Sequence, residues 1–126
     1  MGTRRHHVAM RISLFLVVFL SVFSAEAAKQ SAIPNRFGAI AYHRASQSWG
    51  ISYDAARARD ADVAALKQCG NRECEVIHKF KNGCAALVEG PKAAATSSGA
   101  TRDEAETKAL KRCGAGCKPI AWGCTR

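Results

Sequence analysis

The sequence predicts an α+β domain made of two β-β-α-β repeats in a quasi-twofold relation, an antiparallel sheet packed by two alanine-rich helices and stapled by disulfides. Three observations carry this expectation. Residues 58–70 recur 44 positions later as residues 102–114, with identities at Ala61/Ala105, Ala65/Ala109, Leu66/Leu110, Lys67/Lys111, Cys69/Cys113 and Gly70/Gly114. A repeat of fixed period outranks local propensity as a guide to architecture. Each copy is preceded by strand-like runs and followed by one more. The chain also carries six cysteines, an even number, all at or beyond residue 69.

The N-terminus places Arg4, Arg5 and Arg11 before an apolar run from Ile12 to Phe23, followed by Ala25-Glu26-Ala27. As a helix that run rises only about 18 Å, short of the ~30 Å hydrocarbon core of a bilayer. Residues 1–27 are therefore expected to be a secretory signal peptide, and no transmembrane segment is expected after its cleavage. Residues 28–36 are polar with a single proline and are expected to form a mobile leader, so that residues 37–126 make one repeat-built domain.

Within that domain Gly38–Tyr42 and Trp49–Tyr53 flank a polar turn and predict a hairpin. The first helix follows. Ala61, Ala65 and Cys69 recur every four residues along one face, and Gly70 stands where a left-handed cap is wanted. Its start is poorly marked, with Asp54 the nearest plausible cap. Glu75–Phe80 predicts a strand with one wet face. Cys84–Val88 opens the second copy, Ala93–Ser97 is a weak partner strand in a soft hairpin, and Thr101 with Glu104 forms a capping box ahead of the second helix. Lys118–Cys124 closes the order. The expected core is Ile40, Trp49, Leu66, Ile77, Phe80, Leu87, Leu110, Ile120 and Trp122.

In an exported chain of this size, six cysteines imply three disulfides rather than a zinc site. The repeat suggests Cys69 with Cys74, Cys113 with Cys117, and Cys84 with Cys124. Losing residues 1–27 removes three arginines and Glu26, leaving 16 Lys+Arg against 9 Asp+Glu, a net +7. Such a charge attracts anionic surfaces without defining a site. Lys67, Lys79, Lys81, Lys92, Lys111 and Arg112 are the residues that a single basic patch would gather; with Phe80 as the one aromatic among them, specific nucleic-acid binding is not expected.

The Gly-Ala-Ile-Ala-Tyr of 38–42, Trp-Gly-x-Ser-Tyr of 49–53, the helix ending Cys69-Gly70, Cys-x-Val of 74–76, Asn-x-Cys-x-Ala of 82–86 and Trp-x-Cys of 122–124 resemble the exported bacterial family known as domain of unknown function 4189. The resemblance spans Phe37 to Cys124. It implies export and the repeat fold, brings no established activity or catalytic residues, and hints at secreted factors acting on host cells. Lys92–Thr96 departs from the glycine- and aromatic-rich stretch the family pattern leads one to expect there.

Catalytic signals are absent. There is no Gly-x-Ser-x-Gly, no His-Glu-x-x-His and no phosphate loop. His6 and His7 fall in the signal peptide. His43 reads as an exposed turn residue, and His78, sharing parity with Cys74, Val76 and Phe80, as a half-buried packing residue. Asp60, Asp62, Glu104 and Glu106 are expected in the first turns of helices, where they complement the dipole. The sequence thus points to a non-enzymatic, monomeric, periplasmic or secreted interaction module without cofactor or metal, its partner a protein or an anionic envelope component. The alternatives are a small hydrolase using His78 or His43 and a structural periplasmic protein.

Overall fold

The computed structural model describes residues 33–126; the expected signal peptide and the start of the expected leader lie outside the described residues. Eight elements follow in order: β1 (Phe37–His43), β2 (Ser48–Ala55), α1 (Ala58–Cys69), β3 (Glu75–Lys81), β4 (Cys84–Glu89), β5 (Ala94–Gly99), α2 (Arg102–Cys113) and β6 (Lys118–Cys124). This is β-β-α-β twice, as the repeat predicts. The strands form two antiparallel sheets of three, ordered β2-β1-β3 and β5-β4-β6. The first strand of each repeat is thus central, and the hairpin strand and the strand after the helix are its edges.

The sheets meet face to face around Ile40, Tyr42, Ile51 and Phe80 from one and Ala85, Leu87 and Ala121 from the other. Each helix covers the outer face of its own sheet. Ala61, Ala65 and Cys69 of α1 pack on Ala39, Ala41 and Cys74; Ala105 of α2 packs on Cys84 and Ala86. The strand period of two explains the sorting, since Ala39 and Ala41 face the helix while Ile40 faces the opposing sheet. Small side chains on the helix side let the helices lie close, so the larger apolar groups collect between the sheets.

That division corrects part of the expected core. Ile40, Leu87 and Phe80 are buried, but Trp49, Leu66, Ile77 and Trp122 remain 38–44% exposed. Leu66 sits about 100° around the helix from Ala65, turned away from the alanine stripe. Ile77 is the unpaired residue of a β-bulge: Ile40 opposes His78 while Ala41 opposes Val76. The bulge also overturns the expected parity of His78, because an extra residue switches the face that follows it. Val76 packs under α1, whereas Phe80 joins the core between the sheets and His78 stacks on it with ring centroids 6.4 Å apart. The same bulge recurs in the second half, where Leu87 opposes Ala121, Val88 opposes Pro119, and Ile120 is the extra residue.

The helix ends differ. Thr101 caps α2 by accepting from the Glu104 amide at 3.2 Å, and Glu104 accepts from the Ala100 amide at 3.0 Å. Lys108, bonded to Glu104, and then that amide hold the Glu104 carboxyl below its ordinary range. The N-cap of α1 is Arg57, without a side-chain bond. Asp54 does not cap it, since its carboxylate accepts from the Arg126 amide instead. Asp62 and Glu106 lie beyond the first turns and make ion pairs, Asp62 with Lys79 at 3.0 Å and Glu106 with Arg102 at 2.7 Å.

Disulfides join Cys69 to Cys74, Cys113 to Cys117 and Cys84 to Cys124, with Cα separations of 6.4, 6.1 and 4.0 Å. The first two staple each helix end to the strand after it. The third links residues directly opposite each other on β4 and β6. A matching latch closes each half. Arg36 and Asn82 exchange two hydrogen bonds, Asn82 N to Arg36 O and Arg36 N to Asn82 Oδ1, and Gly83 and Thr125 do the same through Thr125 Oγ1. Asn82 also donates to Asn35, so order reaches into the end of the expected leader, before Phe37.

Candidate functional site

Two clefts open where the sheets meet at their ends, and they occupy corresponding places in the two halves. One, of about 400 Å³, is lined by Tyr53 at the end of β2 and by Trp122, Gly123, Cys124 and Arg126 at the end of β6. The other, of about 260 Å³, lies between the end of β5 and the end of β3, with Ser98 and Gly99 facing Phe80, Lys81 and the Asn82 turn. The repeat makes both. Their side chains are very different.

The Tyr53–Trp122 cleft is lined by two exposed aromatic rings, 49% and 44% accessible, and two ion pairs involve its lining or lie against it. The Arg102 guanidinium carbon lies 4.2 Å from the Trp122 ring centroid and is bonded in turn to Glu106. A cation over a ring face fixes its orientation. Arg126 Nε lies 3.6 Å from Asp54 Oδ2. Tyr53 and Asp54 owe their position to a third bulge: Phe37 opposes Ala55 but Ala39 opposes Ser52, so β2 holds one residue more than β1. Asp54 adopts the left-handed region, φ 65°, which costs a non-glycine residue backbone energy and is found where a side chain must be re-aimed. Gly123 completes the wall, since a Cβ there would stand 2.9 Å from the Tyr53 ring.

The histidines are placed apart. His43 ends β1, and its Nδ1 lies 2.6 Å from Ser46 Oγ, which is also 2.9 Å from Ser48 Oγ and accepts from Asn71 at 3.0 Å. These bonds run across one hairpin turn and tie it to the α1–β3 loop. His78 lies half-buried between the sheets, with Nε2 enclosed and, among the described residues, without a hydrogen-bond partner. Burial, and secondarily the nearby Arg112 charge, lower its pKa. The basic residues do not form one patch. Lys67 and Lys111 hold equivalent positions on helices covering opposite faces, Lys79 is paired with Asp62, and Arg112 donates to the Thr96 carbonyl at 3.2 Å.

The Tyr53–Trp122 cleft escaped the sequence reading, which placed Trp122 in the core and Tyr53 in an ordinary strand. No local signal marks the bulge at Asp54. What the sequence does show is the repeat itself, which places Tyr53 and Ser98, and Trp122 and Lys79, at matching strand positions.

A solved structure shares this architecture. An NMR structure of Rv1813c from Mycobacterium tuberculosis is similar with a TM-score of 0.62, at 24% identity, covering 98% of this chain and 99% of that one. In sequence, Protein Rv1269c of Mycobacterium tuberculosis is 34% identical over 88 residues, 70% of this chain and 68% of the relative. Uncharacterized protein Rv1813c is 32% identical over 88 residues, 59% of its own length. Residues 37–124 match a family throughout the described repeat, and the chain belongs to that family, the Domain of unknown function (DUF4189).

Proposed function

We propose that this domain is a non-enzymatic, exported interaction module that binds an envelope component at the sheet ends. The observation that carries the reading is the pair of exposed aromatic rings that line the Tyr53–Trp122 cleft, the Trp122 ring lying under the Arg102 guanidinium. Exposed large aromatics are enriched at binding surfaces because they bury much area at little conformational cost. Three disulfides are compatible with export to an oxidising compartment, as is the absence among the described residues of a helix long and apolar enough to cross a membrane.

A hydrolase is the second reading, and one contact favours it, His43 Nδ1 against Ser46 Oγ. Nucleophilic serine catalysis also needs a group that orients the base and donors aimed at the oxyanion. Around Ser46 the contacts found are the neighbouring turn hydroxyl and the Asn71 amide, which suit a hydrogen-bonded turn. Labelling with a fluorophosphonate probe separates the two readings. The oxidised protein should take up no probe; a covalent adduct at Ser46 that disappears in His43→Ala would establish the hydrolase and remove the module.

A further inference from the structure

Resting on the interaction-module reading, the geometry points to a neutral saccharide as the ligand of the Tyr53–Trp122 cleft. Three features choose this chemistry over an anion or an apolar peptide. The first is the pair of aromatic walls, Tyr53 and Trp122, lining one open cleft of about 400 Å³. A pyranose presents a face of C–H groups, and the negative face of an aromatic ring attracts such groups while shielding them from water; Tyr53 supplies such a face, and Trp122, with Arg102 over one of its faces, supplies the other face or its edge. The second is charge balance. Arg126, the charged residue in the lining, is matched by Asp54 beside Tyr53, and Arg102, which lies over the Trp122 ring outside the lining, is matched by Glu106, so the cleft mouth offers a donor and an acceptor side by side and, among the described residues, no unpaired cation to hold an anion.

Hydroxyl groups both donate and accept, and a carboxylate or guanidinium can engage two adjacent hydroxyls at once. The third feature is the local cost. Asp54 sits at φ 65° in a bulge, and this conformation turns its carboxylate to the Arg126 side while Tyr53 lies against Gly123. The equivalent corner of the other half pairs Cys84 with Gly99 and Ala85 with Ser98 in regular register. It has no bulge, and Lys79 stands in the place of Trp122, paired across from Ala39 as Trp122 is from Ala86. The repeat makes two clefts, and one of them is lined by both exposed aromatic rings and Arg126.

The chain has two tryptophans, so Trp49→Phe leaves Trp122 as a single fluorescent reporter. The oxidised Trp49→Phe protein is titrated with maltotriose, chitotriose, mannotriose and an arabinan oligosaccharide, and in parallel with a heparin fragment and inorganic phosphate. At least one neutral saccharide should change Trp122 fluorescence saturably, shift the amide resonances of Gly123 and Cys124, and keep its affinity as salt is raised. Tyr53→Ala should weaken that binding about tenfold, as loss of one stacked ring predicts. Tyr53→Phe, which keeps the ring, should restore it. Failure of all four saccharides overturns the inference, as does saturable binding with shifts at Lys81 and Ser98 instead. Tight but salt-sensitive heparin or phosphate binding that ignores Tyr53→Ala overturns it too. None of these failures produces a Ser46 adduct, so each leaves the module reading standing on its own test.

Discussion

The β1–β2–α1–β3 half and the β4–β5–α2–β6 half share a bulge at Ile77 and Ile120, a helix-end staple, and a two-bond latch at the strand ends. They differ in what fills matching positions. Cys84 and Cys124 are bonded across the second sheet, where the first has Phe37 opposite Lys81. The first hairpin carries an inserted residue at its end, and the second runs in register for all six pairs. Even where the halves act alike, the chemistry has diverged. Gln68 of α1 accepts from the Ile51 amide on the free edge of β2, while Arg112 of α2 donates to the Thr96 carbonyl on the free edge of β5. Shared backbone geometry is what packing two such layers requires; side chains at the periphery were free to separate, and there the asymmetric cleft formed.

Removing the bridge found in only one half should have the largest effect. By the chain-entropy account, replacing Cys84 and Cys124 together by serine should cost about 4 kcal/mol, against about 2 for either local pair. The loop it closes spans 40 residues, whereas the local bridges span 5 and 4. Denaturant midpoints of the three double variants provide the ranking, and equal losses would break the argument.

Next comes the seat of each helix. At Gly50 a Cβ would meet the Ala65 carbonyl at 2.2 Å and the Cys69 amide at 2.5 Å, so α1 lies directly on β2. The matching residue of β5 is Ala95, opposite Val88 as Gly50 is opposite Ala41. Gly50→Ala should therefore lose about 2–3 kcal/mol by overpacking, while Ala95→Gly should lose about 1 or less, the usual strand cost of glycine. Thermal unfolding of both variants checks the inequality.

The helix caps predict a smaller, two-way difference. Thr101→Ala should destabilise by about 1 kcal/mol, and Arg57→Ser, which supplies the hydroxyl that α1 lacks, should stabilise by up to about that amount. If neither shifts the melting temperature, the contrast between the helix starts carries no energy.

The smallest effect concerns pH. His78 is half-buried between the sheets where the second half has Ala121, and its pKa is lowered from the ordinary 6.5 by burial and then by Arg112. The folded state thus favours the neutral ring. Its stabilising share is complete above about 6.5, falls as pH drops through that value, and levels off below the lowered folded pKa. His78→Ala should flatten this slope in a plot of unfolding free energy against pH, apart from a constant packing loss. An unchanged slope would mean that protonated His78 reaches water without opening the sheets.

The sequence by itself determined the repeat, the element order, the paired cysteines and the Thr101 cap, because each is written in local spacing: alanine every fourth residue, cysteine and glycine at a helix end, hydroxyl and acid three apart. Only the tertiary structure decided that the strands divide into two sheets, that Leu66 and Trp122 stay in water, and that His78 leaves the face of Val76. Those outcomes depend on bulges and on which face each helix covers. A bulge is one unpaired residue in a ladder, defined by the partner strand rather than by its own neighbours, and two of them here decide where the core ends and where the cleft begins.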